Sequence, residues 1–197
     1  MSFRGTFLWL VVLGVAVFAC GLLALNFPRY YPDHTLTIGQ RLTVLLDGIT
    51  LPLKLAKLSM QEPDATILMP VHDKKVTTVS DTWHVPRGTD RLHEGQDIFA
   101  PKGTPVFSAV NGYIRRTGVS ELGGNIVFVT GAGGRRYYYA HLDRIAHGLH
   151  AGQPVTTDTV LGFVGNTGNA ITTPPHLHFG LYEGREALNP LPLLRDR

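Results

Sequence analysis

Two histidines at positions 176 and 178 have a spacing that could build part of a metal site. They lie two positions apart in the sequence PPHLHF. On an extended strand, side chains at i and i+2 lie on the same face of the sheet. Both imidazoles would therefore point into one pocket, while Leu177 and Phe179 would pack on the opposite face.

Two upstream segments add ligands of the same chemical type. His93 and Asp97 lie four positions apart, and His141 follows in the sequence YAHL. Imidazole nitrogens and carboxylate oxygens suit zinc, and two histidines with one carboxylate leave a fourth position open for water. An open position distinguishes a catalytic zinc from a structural one, so hydrolysis is the leading hypothesis.

Asp97 strengthens the metal hypothesis because apolar residues follow it directly, Ile98 and Phe99. An inward-facing carboxylate among apolar strands costs several kcal/mol unless a cation or hydrogen-bond donors compensate its charge. Residues 93–97 could alternatively be a variant of the helical HExxH motif, with Glu94 as general base. Gly95 and the nearby Pro101 disfavour a helix there, so we expect Glu94 to face solvent.

The composition favours a turn-rich β protein. The chain has 197 residues with 22 glycines and 13 prolines, and from about residue 65 short apolar segments alternate with glycine-containing turns. Several strands at intervals of about ten residues predict an antiparallel sandwich or barrel. The net charge is only +3, and no run of Lys or Arg forms a patch for nucleic acid, so no nucleic-acid partner is expected.

The N-terminal segment predicts a membrane anchor. Residues 7–25 are almost wholly apolar, and about 20 such residues in a helix cross a bilayer core. Arg4 precedes them, which keeps the N-terminus cytoplasmic and exports the rest of the chain. Cleavage as a signal peptide and lipidation at Cys20 remain alternatives. Cys20 is the only cysteine, so the exported part has no intramolecular disulfide.

Three regions follow from this pattern: a membrane segment at residues 1–28, a juxtamembrane spacer or small subdomain at 29–64, and a β domain at 65–197. The spacer is ambiguous. Asp47-Gly48 between alternating apolar residues favours a hairpin, whereas the apolar residues also fit a helical stripe. Pro52 disfavours both interpretations.

Residues 68–190 resemble the lysostaphin/LytM-type zinc metallopeptidases, because four motifs occur in the order found in that family. They are HxGxD from His93 to Asp97, AHL around His141, GxVGNTG at residues 162–168, and HLHF at residues 176–179. The resemblance implies a compact antiparallel β-sandwich or barrel-like domain with a groove, and cleavage of peptides in bacterial peptidoglycan.

The resemblance also implies a role for each candidate residue. It makes His93, Asp97 and His178 the ligands of one Zn²⁺ ion, and it makes His141 and His176 catalytic histidines that line the groove. Zinc can lower the pKa of bound water from about 15.7 to about 7. A neutral imidazole can then accept a proton and deliver it to the departing amine. The sequence does not specify which of His141 and His176 performs which of these two steps.

One feature of the family has no counterpart in the sequence. Some members carry a tyrosine shortly before the first ligand, where it helps to hold the reacting carbonyl. Residues 87–92 contain no tyrosine, and Arg87 or Arg91 is the hypothesised substitute.

The sequence therefore predicts a single-pass membrane protein with a zinc-dependent endopeptidase domain on the outer side of the bacterial cytoplasmic membrane. Its expected partners are peptidoglycan peptides, the membrane, and proteins of cell-wall synthesis or hydrolysis. The alternative is a non-catalytic relative that binds and activates another wall hydrolase. Which peptidoglycan bond is cleaved, and the oligomeric state, stay open at this stage.

Overall fold

The computed structural model describes residues 36–87 and 91–197. The predicted membrane segment at residues 1–28 lies outside the described residues. Among the residues described, no helix has the length and the mean hydropathy required to cross a bilayer. The described strands belong to one compact unit, residues 47–197. The three regions drawn from the sequence stay a prediction.

The ambiguous segment before the β domain contains a helix, α1, at Ile38–Ser59. The hairpin interpretation is therefore wrong. A capping box explains where the helix starts: the Gln40 backbone N–H donates to Thr37 Oγ1 at 3.3 Å, and the Thr37 N–H donates to Gln40 Oε1 at 2.8 Å. Pro52 lies inside the helix despite the hydrogen bond that it removes.

The remaining elements are short strands joined by turns, as the glycine spacing predicts. The strands are β1 Ile67–Leu68, β2 Pro86–Arg87, β3 Arg91–Leu92, β4 Gln96–Phe99, β5 Pro105–Phe107, β6 Gly112–Ser120, β7 Gly124–Thr130, β8 Arg136–Leu142, β9 Arg144–Ile145, β10 Pro154–Val155, β11 Val160–Phe163, β12 His176–Glu183, β13 Glu186–Leu188 and β14 Leu194–Arg195. Short 3-10 turns occur at Val76–Thr78, Ala132–Gly134, Gly168–Ala170 and Leu191–Leu193.

The largest sheet is antiparallel and has the order β10-β6-β7-β8-β12-β13, with β4 also paired to β12. A second antiparallel sheet has the order β5-β11-β9, and β2 pairs with β3. The parallel pair β1-β14 is an exception to the predicted antiparallel pattern. The mainly β class with antiparallel sheets is confirmed.

Strand β12 is central, because β8 lies along one of its edges and β4 and β13 along the other. Its side chains alternate as the sequence predicts. Leu177 and Phe179 are fully buried in the core with Ile98 of β4 and Tyr139 of β8. Each large apolar side chain buried in this way contributes roughly 1.5–3 kcal/mol to folding. The core therefore holds β4, β8 and β12 in register, and their other face is available for a site.

Candidate metal centre and catalytic groove

Three side chains from β4, β12 and the turn before β4 bring one donor atom each to a common point. His93 Nε2 lies 2.9 Å from His178 Nδ1, and Asp97 Oδ1 lies 3.1 Å from each of these nitrogens. Donor atoms on a tetrahedral zinc ion, with bonds of about 2.0–2.1 Å, lie about 3.3 Å apart. The two imidazoles and the carboxylate therefore fit zinc in donor type and in spacing.

Strand register explains how residues so distant in sequence meet. In the antiparallel pair of β4 and β12, His178 stands directly opposite Asp97. Side chains directly opposite one another lie on the same face, about 5 Å apart at their Cβ atoms. His93 is held by backbone hydrogen bonds in both directions, from its N–H to Val85 O at 3.0 Å and from the His84 N–H to its carbonyl at 2.9 Å.

Thr82 fixes two of these three residues from behind. Its carbonyl accepts a hydrogen bond from His93 Nδ1 at 2.6 Å, and its hydroxyl accepts one from the Asp97 backbone N–H at 2.9 Å. Because a carbonyl can only accept, Nδ1 of His93 carries a proton, and in the neutral ring the lone pair is on Nε2, which faces the other two donor atoms. Partners of this kind orient metal ligands and set their tautomers.

Arg87 occupies the second oxygen of the same carboxylate. Its Nη2 contacts Asp97 Oδ2, which leaves Oδ1 for the two histidines. Arg87 therefore contacts the proposed carboxylate ligand, and it lines the groove together with Arg91. The hypothesised role of either arginine in holding a reacting carbonyl stays a prediction. Burial raises the pKa of Asp97, but hydrogen bonds to His178 and His93 outweigh it and hold the pKa well below its usual value. Asp97 is therefore ionised at neutral pH.

The two predicted catalytic histidines lie beside this centre and share one arrangement of their rings. His141 Nδ1 donates to Thr167 O at 2.9 Å, and His176 Nδ1 donates to Pro174 O at 2.8 Å. Each ring thus has its Nδ1 hydrogen-bonded to a carbonyl. In the neutral form each keeps a lone pair on Nε2. The ring centroids of His141 and His176 are 5.1 Å apart, and His176 Nε2 lies 3.8 Å from Asp97 Oδ1.

His141 has two further properties that set it apart. Burial lowers its pKa to about 4, so the imidazole is neutral near pH 7. Its backbone is left-handed, with φ of 60°, which is strained for a residue with a side chain. The His141 N–H donates to Gly123 O at 2.7 Å and helps to hold this conformation.

All five predicted residues line one open groove of about 650 Å³. Its rim differs in character from place to place: Arg91 and Glu94 are exposed and charged, whereas Leu122 is exposed and apolar. Glu94 lies outside any helix and faces solvent, as expected, so the HExxH interpretation is wrong.

The three consecutive tyrosines of β8 point alternately to the two faces of the sheet, as strand geometry requires. Tyr137 and Tyr139 are fully buried in the core, whereas Tyr138 lines the groove. Its ring lies edge-on to His178, with centroids 5.8 Å apart, and stacks on Phe128 at 4.4 Å. Among the tyrosines in the described residues, Tyr138 is the one whose ring packs against a proposed metal ligand.

A model of Peptidase family M23 matches residues 91–190, which include all five site residues. The chain therefore belongs to peptidase family M23, a family of zinc metallopeptidases that includes lysostaphin and the LytM-type enzymes.

Three relatives illustrate this membership. The chain is 38% identical over 125 residues to the L-Ala–D-Glu endopeptidase of Bacillus subtilis (strain 168), covering 58% of this chain and 38% of that protein. It is 33% identical over 111 residues to lysostaphin of Staphylococcus staphylolyticus, covering 53% of this chain and 22% of that protein. The catalytic domain of lysostaphin from Staphylococcus simulans matches with a TM-score of 0.52 and 29% identity, covering 59% of this chain and 92% of that domain. The chain thus spans less than half the length of these two curated relatives.

Proposed function

We propose that this protein is a zinc-dependent endopeptidase that cleaves peptide stems or cross-links of bacterial peptidoglycan. The observation that carries the proposal is the convergence, in one groove, of a three-donor centre and two imidazoles whose Nε2 atoms are not tied to the backbone. Membership of family M23 and the peptidoglycan endopeptidases among its relatives support the substrate class.

His93, Asp97 and His178 are the residues that would hold the ion. Zinc, when bound, supplies a Lewis acid that makes water a nucleophile at neutral pH and polarises a carbonyl. Asp97 contributes a full negative charge, because its pKa lies below its usual value. Thr82 and Arg87 hold the ligands in place from the side away from the shared point.

His141 and His176 would carry the protons. A neutral imidazole that donates through Nδ1 to a carbonyl can accept a proton at Nε2 from the attacking water. The same proton can then pass to the amine that leaves when the peptide bond breaks. Both rings are anchored in the same way, so we assign proton transfer to the pair.

We further propose that the apolar segment at residues 7–25 anchors the enzyme in the cytoplasmic membrane, with the groove on the outer side. The support for this is the sequence pattern alone. An anchor of this kind would restrict cleavage to wall material near the membrane. Partners in cell-wall synthesis or hydrolysis would meet the enzyme there.

Digestion of purified peptidoglycan by the full-length protein tests the enzymatic proposal. We expect new peptide termini, detected by mass spectrometry of released fragments, and their loss when a chelator removes the metal. The same assay with His176→Ala should show no release, while His72→Ala, which changes a histidine outside the groove, should behave as wild type. The absence of new termini from the zinc-loaded wild type would instead favour the non-catalytic activator.

A further inference from the structure

The loop between β11 and β12 contacts His141 through a residue that is not a metal ligand. Thr167 O accepts the hydrogen bond from His141 Nδ1 at 2.9 Å. The Thr167 hydroxyl donates to Leu142 O at 2.8 Å and accepts from the Asn125 backbone N–H at 3.0 Å. We propose that Thr167 is a positioning residue: its hydroxyl holds its own carbonyl against His141 and so keeps the proton of the neutral ring on Nδ1 and the lone pair on Nε2.

The geometry shows why the side chain matters for a contact made by the main chain. Thr167 is extended, with φ of −72° and ψ of 168°, and lies just before the 3-10 turn Gly168–Ala170. A loop residue in this position has no ladder of its own to fix where its carbonyl points. The hydroxyl supplies two fixed points instead, one from the end of β8 and one from the start of β7.

Close packing around the Thr167 hydroxyl shows that its contacts depend on the residues at two neighbouring positions. A Cβ atom placed on Gly124 would lie 2.1 Å from Thr167 Oγ1, and one placed on Gly168 would lie 2.3 Å from Gly124 N. Both glycines also have positive φ, of 62° and 70°. Residues without side chains are therefore required at these two positions, and they bring the two loops into contact.

The same contacts hold the strained backbone of His141. Asn125 Nδ2 donates to Leu142 O at 3.0 Å and to Asp143 O at 2.9 Å. The carbonyl of Leu142, the residue that follows left-handed His141, thus accepts hydrogen bonds from both Thr167 and Asn125. A strained conformation persists only where its surroundings over-determine it, and here hydrogen bonds fix both residues that follow His141.

Proton transfer at His141 depends on this arrangement. With Nδ1 protonated and hydrogen-bonded to Thr167 O, the lone pair of the neutral ring is on Nε2. Without the fixed carbonyl, the ring can take the other tautomer, and an Nε2–H cannot accept a proton from water. His176 differs, because its carbonyl partner belongs to Pro174, two positions earlier in its own chain segment.

Steady-state kinetics on soluble muropeptides test the inference, and this arm rests on the proposed function. Thr167→Val keeps the shape but removes the hydroxyl. We expect kcat to fall about tenfold to a hundredfold with little change in KM and with zinc content unchanged. Thr167→Ser keeps the hydroxyl and should restore most of kcat.

Thr159→Val is the matched control, because Thr159 Oγ1 accepts a turn hydrogen bond from the Thr156 N–H, outside the groove. A Thr167→Val variant with wild-type kcat would overturn the proposal, as would a Thr167→Ser variant as impaired as Thr167→Val.

A second arm does not depend on activity. Long-range ¹H–¹⁵N spectra of the full-length wild type, labelled on histidine and kept in detergent, report the tautomer of each ring. His141, assigned with His141→Gln, should carry its proton on Nδ1 at pH 7.5. A proton on Nε2 would refute the proposal. If the wild type cleaved no peptidoglycan, the proposed function would fail while these spectra still decided the tautomer.

Discussion

The two sides of the groove are held by different kinds of structure. The side with the proposed metal ligands is set by strand register, because His178 stands opposite Asp97 in a strand pair that the core also holds in place. The His141 side depends on two loops: His141, a left-handed residue near the end of β8, is hydrogen-bonded to Gly123 O in one and to Thr167 O in the other. Strand register rests on many backbone contacts, whereas a loop contact depends on single residues.

The largest expected effect separates the two sides by metal content. His178→Ala removes one of three donors, and we expect the purified protein to lose both zinc and activity. His141→Ala should keep zinc at the wild-type ratio and lose most activity, about a hundredfold or more, because proton transfer is impaired. Metal analysis by mass spectrometry alongside the peptidoglycan assay measures both. Full zinc occupancy in His178→Ala would show that the ligand assignment is wrong.

A smaller effect is expected where the metal side depends on one close contact. A Cβ atom on Gly95 would lie 2.5 Å from His178 Cε1 and 2.8 Å from Nε2. Gly95→Ala should therefore push the imidazole away from the other donors and weaken zinc affinity about tenfold to a hundredfold, as measured by competition with a chelating dye.

Gly48→Ala is the matched control for this variant. Gly48 lies inside α1, and a Cβ atom there would meet nothing within 4 Å. Alanine favours a helix over glycine by roughly 1 kcal/mol, so this variant should be as stable as wild type or more so. Unchanged zinc affinity in Gly95→Ala would mean that the ring of His178 can shift without cost, contrary to a centre fixed by register.

The same contrast explains what the sequence could predict. The i, i+2 spacing of His176 and His178 follows from the alternation of a strand, so their facing and the burial of Leu177 and Phe179 were predictable. The tertiary partners were not. Thr82 lies eleven positions before His93 in no recognisable motif, yet it braces two proposed ligands.

Two further misses have physical causes of the same kind. The GxVGNTG motif supported the resemblance, but the hydroxyl of Thr167 finds its partners in β7 and β8, which local sequence does not reveal. In α1 the Asp47-Gly48 pair suggested a hairpin, and the capping box at Thr37 and Gln40 was the overlooked signal for a helix. Long-range contacts and helix capping thus determine the structure where the local sequence pattern gives no signal or an ambiguous one.

The buried imidazole of His141 predicts a moderate pH effect on stability. Its pKa falls from 6.5 in the unfolded chain to about 4 in the fold, so the unfolded state binds more protons between these values. Stability should therefore rise with pH from about 4 to 6.5 and be lost again on acidification through that window, by up to about 3 kcal/mol. Urea unfolding of the chelator-treated protein at pH 7 and pH 4.5 measures it.

His141→Gln isolates this contribution, because the pKa of His178 is also lowered by burial and acts in the same direction. The variant should lose part of the pH dependence and keep the rest. An identical pH dependence in the variant and the wild type would show that His141 titrates normally in the fold. The loop side of the groove would then be less tightly packed than the structure describes.

The smallest expected effect concerns a polar cluster away from the groove, where Asp47 meets Lys54 at 2.7 Å and His150 at 2.9 Å. His150 Nδ1 also lies 3.0 Å from Gly148 O, so both ring nitrogens face acceptors. Asp47→Asn weakens the contacts with Lys54 and His150 and should lower the free energy of unfolding by about 1–2 kcal/mol. In Asp47→Asn, zinc affinity and kcat should stay at wild-type values. Asp158→Asn is the control: the Asp158 side chain is 93% exposed, so this variant should change neither stability nor activity. A loss of activity in Asp47→Asn at full zinc occupancy would mean that the groove is coupled to this cluster, and the division into a register-built side and a loop-built side would then be incomplete.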